Sequence, residues 1–214
     1  MKTVLPGIYR RLHGYFGPQH WWPAETPFEV MVGAILTQNT SWQNVEKAIS
    51  NLKKKKLLSL RALHALPLAK LAQLIRPAGY YNVKAARLRA FTDFLFSAYK
   101  GSLSRMRCRK TAILRRELLS VKGIGEETAD SILLYALEKP VFVVDAYTKR
   151  VLLRHGLIRK DAGYAETQAL FMSGLKKNTR LFNEYHALLV RLAKEFCRKR
   201  LPRCGLCPLR DIPR

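Results

Sequence analysis

Acidic residues are scarce in this chain. Only 15 Asp and Glu stand against 39 Lys and Arg in 214 residues, a formal charge of +24. Hydrophobic residues reach 48%, which excludes a disordered polyelectrolyte. What remains is a folded polycation whose partner is a polyanion: nucleic acid first, an anionic membrane surface or a ribosome second. Phosphate contacts supply affinity rather than sequence choice, so the charge names a partner class and no reaction. Apolar runs of eighteen residues or more are missing, and with them any transmembrane helix. The opening Met1-Lys2-Thr3-Val4-Leu5-Pro6 lacks the hydrophobic stretch of a signal peptide. Cysteine is limited to Cys108, Cys197, Cys204 and Cys207, three of them crowded near the C-terminus, a pattern that suits a metal or cluster site better than a disulfide framework. The expectation is a cytoplasmic, nucleoid-associated monomer with no membrane partner. Internal repeats are lacking too, and the lysine run 53–56 reads as an exposed connection.

Strand patterns are nearly absent. Val141-Phe142-Val143-Val144 is short and follows Pro140, so it reads as an extended connection. Helical periodicity fills the rest. Thr26-Pro27 marks a start, with a capping hydroxyl followed by proline at the first helical position. Helices are predicted over 28–37, 44–52, 59–66, 68–75, 82–98, 110–119, 126–137, 146–155, 164–175 and 181–198. Pro67 separates the third from the fourth, and Pro77-Ala78-Gly79 ends the fourth. About ten short helices with brief loops make an all-α protein.

Chemistry concentrates in residues 118–150. Lys122-Gly123-Ile124-Gly125 forms a tight turn between two helical patterns. Two glycines one residue apart permit backbone angles that side chains forbid, and the helix beginning at Glu126 adds unpaired N–H groups. Together they make a small anion nest, with Lys122 beside it; an ordinary αα-turn is the plainer alternative. Twenty residues past Gly125, Asp145 directly precedes a helix. Aspartate is a favoured N-cap there. A helix N-terminus also keeps a carboxylate ionised, as cleavage of a glycosidic bond requires when positive charge develops on the sugar.

The run Gly-Ile-Gly-Glu-Glu-Thr-Ala-Asp, followed by Val-Val-Asp-Ala-Tyr-Thr-Lys-Arg-Val, resembles the helix-hairpin-helix DNA glycosylases of the endonuclease III superfamily. So do Ile35-Leu36-Thr37-Gln38-Asn39-Thr40-Ser41, the segment from Pro77 to Ala85, and the cysteine-bearing C-terminus. The resemblance implies a six-helix barrel-like domain over 24–137 and a second helical domain joining 1–23 to 138–214, with double-stranded DNA between them. It implies catalysis by Asp145 and a backbone grip by Lys122, Gly123, Ile124 and Gly125. With the damaged base rotated out of the stack, Gln38, read as an exposed amide tip, would fill the gap and Tyr80 would wedge from the opposite side.

Members that also cut the strand carry a lysine two residues after the second hairpin glycine; here that place is Glu127, which cannot form a Schiff base. The departure points to a monofunctional glycosylase that uses water. Adjacent Trp21 and Trp22 offer flat, electron-rich faces to a cationic alkylated purine, or else pack a domain interface. Where the family has His-Gly-Arg or His-Gly-Lys, this chain has Leu192-Ala193-Lys194, and Lys194 either enters the base pocket or stays solvated. The combination of Trp21-Trp22-Pro23, Leu36-Thr37-Gln38-Asn39-Thr40 and a hairpin without that lysine resembles the family's bacterial 3-methyladenine glycosylases. Two other readings remain: a bifunctional glycosylase/lyase for oxidised pyrimidines, and a DNA-binding module without catalysis.

The family's four-iron four-sulfur loop ends on a fourth cysteine, and Pro213 stands in its place. Cys197, Cys204 and Cys207 therefore hold a [4Fe-4S] cluster with a non-cysteine ligand, hold one weakly, or remain free thiols. Zinc on three cysteines and a histidine is the further option, with His186 far upstream.

Overall fold

The computed structural model describes residues 4–212, so Met1 to Thr3, Pro213 and Arg214 lie outside it. Twelve α-helices occur among the described residues: α1 (Val4–Phe16), α2 (Pro27–Leu36), α3 (Trp42–Lys54), α4 (Leu60–Ala65), α5 (Leu68–Leu74), α6 (Tyr81–Tyr99), α7 (Leu103–Arg107), α8 (Thr111–Leu119), α9 (Glu126–Ser131), α10 (Ala146–Arg154), α11 (Tyr164–Gly174) and α12 (Thr179–Glu195). No strand interrupts them among the described residues, and residues 141–144 are extended connection. The all-α expectation holds. No described helix is long and apolar enough to cross a membrane. Contacts divide the chain into two units, Ala24–Glu138 and Met1–Pro23 with Lys139–Arg214.

In the first unit α2 is the axis. Thr26 Oγ1 accepts from Glu29 N at 3.1 Å and Pro27 takes the first position. Every residue from Phe28 to Leu36 is buried, even Glu29, whose carboxylate receives Lys53 Nζ at 2.8 Å. A helix enclosed on all sides must sit at the centre, and α3, α6, α9 and the π-turn Ile132–Ala136 pack on it. α8 and α9 are joined by a bidentate ion pair: Arg115 Nε donates to Asp130 Oδ1 at 2.7 Å and Nη2 to Oδ2 at 3.0 Å. Asp130 is fully buried, so the planar guanidinium fixes how the two helices flanking the glycine turn approach each other.

Lys84, on α6, is 1% exposed. Its Nζ donates to Leu36 O at 2.9 Å and Ala78 O at 2.7 Å, tying the end of α2 to the turn Arg76–Ala78. Burial, with Arg87 adding repulsion, brings its pKa from the ordinary 10.5 down to about 8. Lys84→Met leaves two buried acceptors unpaired and should cost about 2–4 kcal/mol, read as a lower thermal midpoint. The unfolded chain holds this proton over a higher pH range than the fold does. Wild-type stability relative to Lys84→Met should therefore rise between pH 8 and 10.5.

In the second unit α1 and α10 both pack on α12. Phe142 stacks on Phe171 with centroids 3.7 Å apart, and Phe182 and Tyr185 meet it edge-on. Tyr185 Oη donates to Leu5 O at 2.9 Å, tying α12 to α1. The sequence patterns missed α1, whose first turn carries Pro6 and Gly7. Pro6 lies in the first helical turn, where a missing N–H costs nothing. They also ran the last helix to 198, whereas α12 ends at Glu195.

Candidate active site

Lys122, Gly123 and Gly125 are exposed while Ile124 is 5% exposed, so the turn is pinned by one apolar residue and presents its backbone to solvent. Ile124 N donates to Val121 O at 3.0 Å. The expectation that both glycines serve the backbone is half right. Gly123 has φ +88°, in the region L-residues avoid, whereas Gly125 has φ −94° and ψ −178°, ordinary extended backbone preceding α9. A Cβ on Gly123 would lie 2.5 Å from Arg87 Cγ; one on Gly125 would meet nothing within 4 Å.

Gln38 departs from the expected exposed tip. It is half-buried, its Nε2 donates to Gly123 O at 3.1 Å and Thr128 Oγ1 at 2.9 Å, and its Oε1 accepts from Arg87 Nη1. The amide is held by the glycine turn, α9 and Arg87 of α6, so entry into a duplex would break three hydrogen bonds. Arg87 and Thr128, the residues that hold it, gave no signal in the sequence, because nothing local links positions 38, 87 and 128. Tyr80 does project: it caps α6 at φ 45° and is 71% exposed. Asn39, also exposed and left-handed at φ 53°, stands beside Gln38 at the tip of its turn. Glu127 is exposed on the first turn of α9.

In the other unit, Asp145 caps α10: its Oδ1 accepts from Thr148 N at 2.7 Å, while Oδ2 lies 3.5 Å from His186 Nε2. Burial on its own pushes the carboxyl up. The facing His186 and the Thr148 N–H outweigh burial and hold it below the ordinary carboxylate value. The side chain still keeps 12% exposure. It is thus a buried anion with one open edge, suited to stabilising a developing cation or orienting a water. His186 lies 41 positions away on α12, so its pairing with Asp145 was invisible in the sequence.

Trp21 and Trp22 pack edge to face with centroids 5.8 Å apart. Trp21 Nε1 is buried without a hydrogen-bond partner among the described residues. Lys194 is exposed and its Nζ sits 5.9 Å from the ring centres of both Trp21 and Tyr147. Tyr147 is two residues past Asp145, so the tryptophan, the amine and the start of α10 gather within one unit.

Cys197, Cys204 and Cys207 line one cavity of about 250 Å³ together with Arg154, His155, Phe196, Pro202 and Arg210. Burial pushes the Cys207 thiol up, and Cys197 and Cys204 add to the shift. Among the described residues no three His, Cys, Asp or Glu side chains converge on a single-ion site. His186 is engaged with Asp145, which removes it as a zinc ligand for the cysteines. Arg154 Nη1 donates to Cys197 Sγ at 3.3 Å and to Arg198 O at 2.7 Å, and Arg150 Nε donates to Cys197 O at 2.7 Å. Two arginines of α10 thus hold the cysteine loop. Three soft donors around one cavity fit an iron–sulfur cluster. Cys108 belongs to the other unit, and Pro213 lies outside the described residues.

Residues 32–177 match the model of the HhH-GPD superfamily base excision DNA repair proteins. A Methanocaldococcus jannaschii protein designated a candidate DNA repair glycosylase is 52% identical over 96% of this chain and 93% of its own. Endonuclease III of Bacillus subtilis is 27% identical over 88% of this chain and 81% of its own. Among solved structures, H. pylori 3-methyladenine DNA glycosylase bound to 1,N6-ethenoadenine superposes with TM-score 0.76 at 31% identity, over 91% of this chain and 95% of that one. An endonuclease III–DNA complex shares the fold at TM-score 0.85 and 24% identity, over 100% of this chain and 95% of that one. The chain belongs to the HhH-GPD superfamily of base excision DNA repair proteins and is one of its DNA glycosylases.

Proposed function

We propose that this glycosylase is monofunctional and releases alkylated purines from double-stranded DNA by water attack, leaving an abasic site. The observation that carries the reading is Asp145: a carboxylate held ionised by Thr148 N–H and His186, with one edge open. As the base leaves, that charge offsets the oxocarbenium-like sugar, and the same oxygen edge orients the attacking water. Lys122 to Gly125 grip the backbone, and Trp21 and Trp22 receive the base. Glu127 supplies no amine where strand-cutting relatives have one. The likeness to the H. pylori 3-methyladenine glycosylase supports the substrate class.

Lys194 refines that class. An amine 5.9 Å from the Trp21 ring already occupies the place of a cation over that face. A cationic lesion brought onto that face would meet a like charge, and two unit charges about 6 Å apart repel by roughly 0.7 kcal/mol in water. Lys194→Gln should therefore raise release of cationic 3-methyladenine about threefold relative to neutral 1,N6-ethenoadenine, measured as single-turnover rates.

The test of the whole reading is a set of duplexes bearing alkylated, oxidised or mismatched bases, scored for free base and for strand breaks with and without alkali. Alkylated bases should be released, with breaks only after alkali and no adduct trapped by borohydride. A trapped adduct, or breaks without alkali, would replace this reading with the lyase one, and Lys194 would be the first amine to test.

A further inference from the structure

The fourth ligand of the cysteine site is missing from the sequence pattern, and the fold offers a replacement. We propose that His155 completes a four-iron cluster held by Cys197, Cys204 and Cys207.

His155 lines the same cavity as the three cysteines. Its position is built. It is the C-cap of α10, its N–H donating to Val151 O at 3.2 Å, and Gly156 at φ 64° turns the chain away immediately after it. The residue before it, Arg154, donates to Cys197 Sγ, Arg198 O and Lys199 O. The end of α10 is therefore fastened to the cysteine loop, and the next side chain falls at the cavity wall.

The cavity's size selects the occupant. A site for one water-sized ion needs only about 10–15 Å³ of such space, and tetrahedral zinc would draw its sulfurs to about 3.8 Å apart. The space is about 250 Å³, and among the described residues no three His, Cys, Asp or Glu side chains converge on a single ion. A polyatomic iron–sulfur core takes its ligands from around a space rather than at one point, and this cavity is lined by three cysteines and a histidine. Asp211 does not line that cavity; it lies 3.7 Å from Arg11 and 3.6 Å from Arg210 and lines a neighbouring hollow that Cys207 and Arg210 also border.

Charge fits as well. Each thiol loses a proton on ligation, while imidazole binds neutral, so this cluster carries one negative charge fewer than a four-thiolate one. Arg154 and Arg210 line the cavity to meet the remainder. Histidine in place of cysteine raises a cluster's reduction potential.

The full chain, reconstituted anaerobically with iron and sulfide, should take up a four-iron cluster. Its reduced form should show a histidine nitrogen coupling in pulsed electron paramagnetic resonance, lost on 15N-histidine exchange for the 14N pattern. His155→Ala should retain a three-iron cluster and no nitrogen coupling. His155→Cys should restore four irons at a lower potential, again without the coupling; it also decides the matter if the alanine variant does not fold. Four irons and an unchanged spectrum in either variant would overturn the proposal. So would a wild-type cluster without nitrogen coupling, or uptake of zinc or nothing in place of iron.

Discussion

Asp145→Asn should lower single-turnover base release by on the order of 10²–10³-fold while duplex affinity, read by fluorescence anisotropy, stays within a few-fold. The substitution is nearly isosteric, and asparagine is as good an N-cap as aspartate. Its carbonyl can keep the bond from Thr148 N, so α10 should remain in place. What disappears is the negative charge to which the proposed mechanism assigns stabilisation of the sugar. The effect therefore falls on the chemical step, with the cap on α10 kept. The acid side separates charge from capping. The native carboxyl lies below its ordinary value of 3.8, so any stability it contributes is complete above that value. That contribution is lost only as pH falls through the lower folded pKa. Wild type and Asp145→Asn should accordingly differ in activity across the whole neutral range, and their relative stability should begin to change only below about pH 4. Base release within tenfold of wild type would remove Asp145 from the reaction and leave it a capping residue.

His186 belongs to the same argument. It is 5% exposed, and its ring faces the carboxylate from α12. Removing one member of a buried pair leaves the other uncompensated, so changes at His186 combine loss of fold with loss of charge tuning. Asp145→Asn is the cleaner test because asparagine still offers His186 a polar side chain.

The contrast between Asp145 and Gln38 explains how far the sequence could be read. Asp145 was legible because its environment is local: an extended apolar run, an acid, then a helix whose third N–H it accepts. The helices were legible for the same reason, since Thr26-Pro27 and Pro77-Ala78-Gly79 are signals carried by neighbouring residues. Gln38 was misread because its partners, Gly123, Thr128 and Arg87, come from three other places in the chain. His155 was overlooked, and His186 was weighed only as a zinc ligand, for the complementary reason. A single histidine has no pattern until packing sets it beside a carboxylate or a cysteine loop. Lys84 was concealed inside a helix rich in Lys and Arg, where nothing marks the one ammonium turned inward. α1 was missed, and its first turn carries a proline and a glycine whose cost depends on their place in a helix.

The two glycines of the turn separate backbone need from ligand approach, and their alanine variants should behave differently. At Gly123, φ +88° puts an added Cβ in the disfavoured left-handed region, a cost of about 1–2 kcal/mol before any contact is counted. The clash with Arg87 adds to it. Arginine is long enough to swing aside, but Arg87 holds Gln38 Oε1, and Gln38 Nε2 holds Gly123 O. Moving one loosens the ring of contacts that shapes the turn. Gly123→Ala should lower the thermal midpoint and weaken duplex binding at least about tenfold, equivalent to 1.4 kcal/mol. Gly125 is the control. Its φ of −94° suits any residue, and nothing lies within 4 Å of an added Cβ. Gly125→Ala should leave stability within about 0.5 kcal/mol of wild type. If it nevertheless weakens binding to undamaged duplex, the methyl group is obstructing a phosphate that approaches the backbone at that point. If Gly125→Ala binds duplex as wild type does, and Gly123→Ala loses no more affinity than its loss of folded protein explains, the turn is structural and the backbone grip lies elsewhere on the basic surface.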